Sequence, residues 1–335
     1  MRGKTIRELL ADYPYVMEFF EQNGIPIKGN EDLTLAQYLE GLGEEELEDK
    51  ALDVKALPLQ MEDFILQMEE FLGKGKEQVR ELTIYPGQNK SGEPETFAPF
   101  TIRSSQIISI VGPTGSGKSR LLADIEWAAQ GDTPTKRSIM INGKQPDPQW
   151  RYSSNNKLVA QLSQNMNFVM DLTAREFVTM HAASRHVENP QKVVEKILGE
   201  ANRLAGERFK PETAVTALSG GQSRALMIAD TAVLSASPIV LIDEIENAGI
   251  DRKKALDTLV SEDKIVLMAT HDPLLALMAD KRIVIANGGI VRIIETSPEE
   301  KKILEKLNTL DQVMQRARMD LRLGKVLKED NAGRL

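Results

Sequence analysis

Gly112-Pro113-Thr114-Gly115-Ser116-Gly117-Lys118-Ser119 follows an apolar run, Gln106–Val111, and opens a helical pattern from Arg120 to Trp127. Strand, glycine loop and helix is the context in which such a sequence cradles phosphate. Gly112, Gly115 and Gly117 let backbone N–H groups close around phosphate oxygens, where a Cβ would crowd the ligand. The helix N-terminus adds its partial positive charge. Lys118 can reach β- and γ-phosphates, and the Ser119 hydroxyl can ligate Mg²⁺. Pro113, Thr114, Ser116 and Arg120 complete the stretch expected to contact nucleotide.

Composition narrows the remaining choices. The 335 residues suffice for one large or two smaller domains, and 41% hydrophobic content suits a globular protein with a core. There are 42 basic and 50 acidic residues, a net charge of −8. That balance argues against broad, sequence-independent nucleic-acid binding, which leans on cationic surface. The chain has no cysteine, so disulfides, thiolate zinc sites and cysteine nucleophiles are excluded. The N-terminus lacks a signal-peptide apolar core, and no stretch approaches the length of a membrane span. A cytoplasmic location is expected, with any membrane role exercised through a membrane partner.

Four further stretches carry chemistry. Leu218-Ser219-Gly220-Gly221-Gln222 precedes a helix pattern, which makes a second phosphate-binding device or an ordinary helix cap. An apolar run, Ile239–Ile242, ends in Asp243-Glu244. A buried strand ending in acids places them at the carboxyl edge of a sheet, where open α/β sheets bind ligands. Asp243 can hold Mg²⁺, and Glu244 can act as general base or orient water. A second apolar strand, Ile265–Ala269, ends in Thr270-His271-Asp272, so His271 can reach a γ-phosphate or its water. Gln164 closes another strand pattern, and its amide can ligate Mg²⁺ and contact the attacking water; Gln161 competes for that role. His181 and His186 lie on a polar helical segment and receive no role.

The flanks read as helical. Thr5 with Glu8 forms a capping box. Pro14 and Gly24 bound a second short helix, Leu33, Leu35, Tyr38 and Leu39 mark a third unit, and Met61, Phe64, Ile65, Met68 and Phe71 recur at helical spacing. Residues 1–75 are therefore expected to be a small all-helical domain. Its Thr5-Ile6 and Tyr13-Pro14…Gly24-Ile25 stretches resemble a small helical domain of unknown function, DUF1858. Residues 296–335 form a helical tail, with a helix expected over Pro298–Leu327. There Ile303, Leu307, Leu310, Met314, Ala317 and Leu321 alternate spacings of four and three. That seam packs on its own domain or pairs with another helix.

Taken together, residues 78–295 resemble an ATP-binding cassette (ABC) ATPase domain. Gly112–Ser119 matches Walker A, Gln164 the Q-loop, Leu218–Gln222 the signature, Ile239–Glu244 Walker B with its catalytic Glu, and His271 the switch histidine. The resemblance implies an α/β P-loop fold with a mixed core sheet, an antiparallel β subdomain and a helical subdomain. It implies Mg²⁺-dependent hydrolysis of ATP by two cassettes paired head to tail, as a homodimer or with a partner cassette. Ser219, Gly220, Gly221 and Gln222 would then act in trans. Three departures stand out. Ile245–Asp251 is one residue longer than the usual transporter loop, and Asp251 is carried over as its acid. Only 20 residues separate Asp251 from His271. The adenine-stacking aromatic is Tyr85, with Phe97 its rival. These departures and the N-terminal domain lean toward a non-transport ATPase that remodels or activates a soluble partner. The alternative is the nucleotide-binding subunit of a transporter, seated on a membrane permease.

Overall fold

The computed structural model describes residues 3–50, 52–71, 78–146, 157–163, 168–187, 189–243 and 250–327. They divide into two units, Met1–Glu77 with His181–Pro190, and Gln78–Met180 with Gln191–Leu335.

The first unit is helical. α1 (Ile6–Asp12) starts at the expected capping box, in which Thr5 and Glu8 each satisfy the other's backbone N–H. α2 (Val16–Gln22) is closed by Gly24 at φ +62°. α3 (Leu35–Glu40) repeats the capping box with Thr34 and Gln37. α4 (Glu44–Asp49) is mostly acidic, and α5 (Leu57–Phe71) begins four residues before Met61, the first of the helically spaced apolar residues. Ile6, Leu9, Val16, Phe20, Leu39 and Ile65 form the buried centre. His186, expected at the surface, is only partly exposed. The chain turns there through φ +46°, and the imidazole meets the Tyr15 ring edge-on at 6.0 Å between centroids.

The second unit holds two sheets. β1 (Glu81–Tyr85) is flanked by β2 (Phe100–Arg103) and β4 (Ser138–Ile141) in an antiparallel trio. β2 begins only at Phe100, directly after Pro99, which has no N–H to offer the ladder. β3 (Ile107–Val111) leads through the glycine loop into α6 (Lys118–Glu126). With β5 (Val159–Leu162), β6 (Ile239–Asp243), β7 (Ile265–Ala269), β8 (Lys281–Ala286) and β9 (Gly289–Glu295) it builds a six-stranded sheet in the order β5-β6-β7-β3-β8-β9. Its strands are parallel except for β9, which returns on β8 through a tight turn at Asn287-Gly288. β6 and β7 are continuous apolar runs because both faces are covered.

The remaining helices are α7 (Ala174–Ser184), α8 (Pro190–Leu204), α9 (Gly220–Leu234), α10 (Arg252–Ser261), α11 (Pro273–Met278) and α12 (Pro298–Arg322). α12 stops short of Leu327, with Gly324 at φ +71° just beyond its end. It packs on α11. Leu304, Leu307 and Ala317 lie half-buried, while Ile303, Leu310, Met314 and Leu321 remain about half exposed. Among the described residues no helix is long and apolar enough to cross a membrane.

Candidate nucleotide-binding site

Strand order brings three of the expected residues to one edge. β7 lies between β3 and β6, and Ala269 pairs with Ile110 on one side and Asp243 on the other. Adjacent strands lie about 4.8 Å apart. The glycine loop, His271 and Asp243 therefore leave the sheet side by side at its carboxyl edge, where α/β sheets bind ligands. The Thr270 N–H donates to the Ile110 carbonyl at 3.2 Å, which carries the register one residue past β7. His271 is exposed and Asp243 half-buried.

The loop itself is shaped by close approach. Gly117 caps α6 at φ +108°, and a Cβ there would lie 2.8 Å from the Cα of Gly288. A Cβ on Gly112 would meet the Ile285 carbonyl. No side chain caps the start of α6. Its partial positive charge is thus met by no carboxylate or hydroxyl of the cap residue. Lys118 Nζ donates to the carbonyls of Gly112 at 2.8 Å and Pro113 at 3.1 Å, which holds the ammonium over the loop. Ser119 is exposed in the first turn. Two contacts hold neighbouring loop carbonyls. Lys90 Nζ donates to Gly115 at 2.8 Å, and the Gly288 N–H donates to Ser116 at 2.7 Å.

Behind this loop sits a fully buried guanidinium, Arg137. Nη2 bonds Glu95 at 2.6 Å and the Gly288 carbonyl at 2.8 Å, and Nη1 bonds Asp124 of α6 at 2.9 Å. Thr135 Oγ1 also donates to Asp124, at 2.8 Å. Glu95 in turn accepts from the N–H groups of Gly87 at 2.9 Å and Ile290 at 2.5 Å. One cation thus ties the segment after Tyr85, the loop helix and the β8–β9 turn into one piece. Charges this deep persist only when paired and hydrogen-bonded, and loss of the cation would strand two carboxylates.

Tyr85 ends β1 and is 39% exposed, whereas Phe97 is partly buried against the core cluster, so Tyr85 presents the more open ring. Gln164 and Glu244 lie outside the described residues. Gln161 is exposed on β5, opposite Leu241 of β6. Ser219 caps α9: its hydroxyl accepts from the Gln222 N–H at 3.4 Å, and the Gln222 amide oxygen accepts from the Ser219 N–H at 2.9 Å. Gln222 Nε2 also reaches the Glu207 carbonyl at 3.2 Å, so this turn is secured within its own helical region. Asp251 caps α10, accepting from the Lys254 N–H at 3.1 Å. Burial pushes its carboxyl up, but the Lys254 N–H and ammonium outweigh that and hold it below the usual value.

The sequence reading missed Lys90 and the Glu95–Arg137–Asp124 cluster. No spacing rule links residues 42 and 13 apart in the chain. The hint was Arg137 itself, a guanidinium directly before an apolar strand.

The ABC transporter family profile matches residues 98–247. The chain is 51% identical to an uncharacterized ABC transporter ATP-binding protein of Methanocaldococcus jannaschii, over 76% of this chain and 97% of that one. It is 29% identical to the lipoprotein-releasing system ATP-binding protein LolD of Psychrobacter arcticus, over 61% of this chain and 92% of that one. Among solved structures it resembles cbiO1 of Clostridium perfringens, described as part of the ABC transporter complex cbiONQ. That match has a TM-score of 0.50 and 18% identity, and covers 74% of this chain and all of that one.

Proposed function

This chain belongs to the family of ABC transporter ATP-binding proteins and carries its ATPase domain, and from that premise we propose that it is the nucleotide-binding subunit of a membrane transporter. The observation that carries the proposal is the 51% identity to a transporter ATP-binding protein over 97% of that protein and 76% of this chain. The loop and acid arrangement at the sheet edge supports the chemistry. The comparisons do not favour the non-transport role toward which the sequence departures leaned. In this reading the subunit is cytoplasmic, peripheral to the membrane, and works as a pair of cassettes on a permease.

The residue roles follow from charge and position. Loop N–H groups and the start of α6 receive the β- and γ-phosphates, and Lys118 turns its ammonium from loop carbonyls toward them. Tyr85 stacks on adenine. Ser119 and Asp243 supply a hydroxyl and a carboxylate at the same edge, hard oxygen donors of the kind that suits Mg²⁺, with Gln164 as a third. Bound there with the phosphates, the ion would neutralise charge across the β- and γ-oxygens. Glu244 orients a water or takes its proton as the water oxygen bonds to the γ-phosphorus. The bond to the bridging oxygen breaks, and ADP and phosphate leave. His271 holds the γ-phosphate geometry. Ser219, Gly220, Gly221 and Gln222 of a second cassette close the site, with Asp251 at the contact. ATP-driven closure and hydrolytic reopening move the partner.

A trap tests this. Glu244→Gln protein, tagged and purified from its host with Mg-ATP, is expected to bring down a polytopic membrane protein in near-equal amount. Recovery instead of a soluble complex, lost on deletion of residues 1–75, would replace transport with remodelling.

A further inference from the structure

Arg252 opens α10 immediately after Asp251, and its side chain is only 15% exposed. The guanidinium forks. Nη1 bonds Asp272, the residue after His271, and Nη2 bonds Asp311 of α12 at 3.1 Å. Asp272 is itself fixed twice more. Its other carboxylate oxygen accepts from the Leu274 N–H at 2.8 Å and starts α11, and its own N–H donates to Thr270 Oγ1 at 3.0 Å. Asp251 takes its cation from Lys254 at 3.0 Å, so the charge of Arg252 serves the other two carboxylates. One planar fork therefore joins three segments, the residue beside Asp251, the turn carrying His271, and the C-terminal helix. An ammonium cannot reproduce two bonds diverging in one plane.

We propose that Arg252 is a positioning residue for ATP hydrolysis, and that through Asp311 it makes turnover depend on the seating of α12. The inference rests on the hydrolytic roles given above to His271 and Asp251. With the fork made, the His271–Asp272 turn is held against the start of α10, and a shift of α12 pulls on both. Asp311 is half-buried on α12, one turn from half-buried Leu307, whereas Leu310 and Met314 are exposed. Whatever grips the exposed side of α12 acts on the helix that carries Asp311.

Full-length Arg252→Ala, Arg252→Lys, Asp311→Ala and His271→Ala test it by steady-state ATPase kinetics, with nucleotide affinity and thermal unfolding measured alongside. A displaced catalytic group costs turnover steeply, so Arg252→Ala is expected to lower kcat about tenfold or more with KM changed less than about threefold. Arg252→Lys restores part of that loss, because it keeps the charge and one bond. Asp311→Ala leaves the bond to Asp272 and lowers kcat about threefold, the scale of a coupling contact. Wild-type kcat in Arg252→Ala and Asp311→Ala beside an inactive His271→Ala would overturn the inference alone. A loss in Arg252→Ala that tracks weaker ATP binding and a lower Tm, with Lys no better than Ala, would reduce Arg252 to a structural role and overturn it too. Should Arg252→Ala not fold, Asp311→Ala decides by the same kcat criterion. Wild-type turnover in His271→Ala would overturn the site reading, and this inference with it.

Discussion

Two helices in this chain begin at glycines read above as phosphate sites, and they begin differently. α6 starts at Gly117 with no side-chain cap, in a loop held by Lys90, Gly288 and, through the Arg137 cluster, by Asp124 of the helix itself. α9 starts at Ser219 with its capping box complete. The first helix end needs a ligand or water for its orphan N–H groups, and its shape is imposed from behind. The second has its Gln222 N–H already met by the Ser219 hydroxyl and its Ser219 N–H by the Gln222 amide oxygen. In the reading proposed above, the loop at α6 binds first, and the turn at α9 gains a phosphate contact only when a second cassette closes on it.

The sharpest way to break this contrast is to remove Lys118. Lys118→Ala should lower kcat/KM by about a hundredfold or more, since it deletes the charge facing the developing phosphate. Retained wild-type hydrolysis would sink the assignment of the loop. Lys118→Ala also serves a mixing experiment with Ser219→Ala. Each variant alone should be nearly inactive, but a mixed dimer holds one intact loop facing one intact Ser219. Recovery of ATPase activity on mixing supports action in trans, and no recovery would place Ser219 in cis or outside the site.

The brace behind the loop comes next in size. Arg137→Met keeps side-chain bulk but strands the Glu95 and Asp124 carboxylates, and should cost about 3–5 kcal/mol. Chemical denaturation of the full chain measures it. Restored stability in the triple change of Arg137, Glu95 and Asp124 to apolar residues would show that the cost is the orphaned charge. Restored stability with weakened ATP binding would show that the cluster also shapes the loop.

The contrast also explains what was legible beforehand. Gly112–Ser119 and Leu218–Gln222 are contiguous, so their chemistry is written in adjacent letters. Asp243 and His271 were legible because each ends an apolar run, and the parallel register of β6 with β7 aligns those ends. The departures in loop length around Asp251 were visible too, but loop length does not name a partner, and the lean drawn from them went unsupported. Arg137 and Arg252 were not legible. Each is an arginine whose carboxylate partners lie 13 to 59 residues away, and nothing local separates a buried guanidinium from a solvated one. The late start of β2 at Phe100 has a local reason: Pro99 withholds the ladder bond that its apolar neighbours suggest.

Ser219→Ala alone, read as stability, should cost about 1 kcal/mol for the lost cap. That is well below the Arg137 effect, as a turn that closes on itself should show. A loss as large as that of Arg137→Met would mean that the α9 turn is braced from elsewhere, and the distinction between the two helix starts would fail.

Asp251 offers the smallest and most discriminating case, because it is a third helix start and it too is self-capped. Asn caps as well as Asp, so Asp251→Asn should change stability at neutral pH by less than about 0.5 kcal/mol, the loss of charge beside Lys254 and the helix dipole. The sign with pH is fixed by direction. The folded carboxyl titrates below its unfolded value near 3.8, so its contribution is present above that value and lost as pH falls through the folded one. Unfolding midpoints of the two proteins should therefore differ slightly at pH 7 and converge only as pH falls below 3.8 and through the lowered folded value. Turnover separates cap from catalysis. If Asp251 only caps α10, Asp251→Asn hydrolyses ATP as the wild type does. If it also meets the second cassette, kcat falls while the midpoint hardly moves, and α10 joins α9 as a helix start that is finished in isolation and put to use only in the pair.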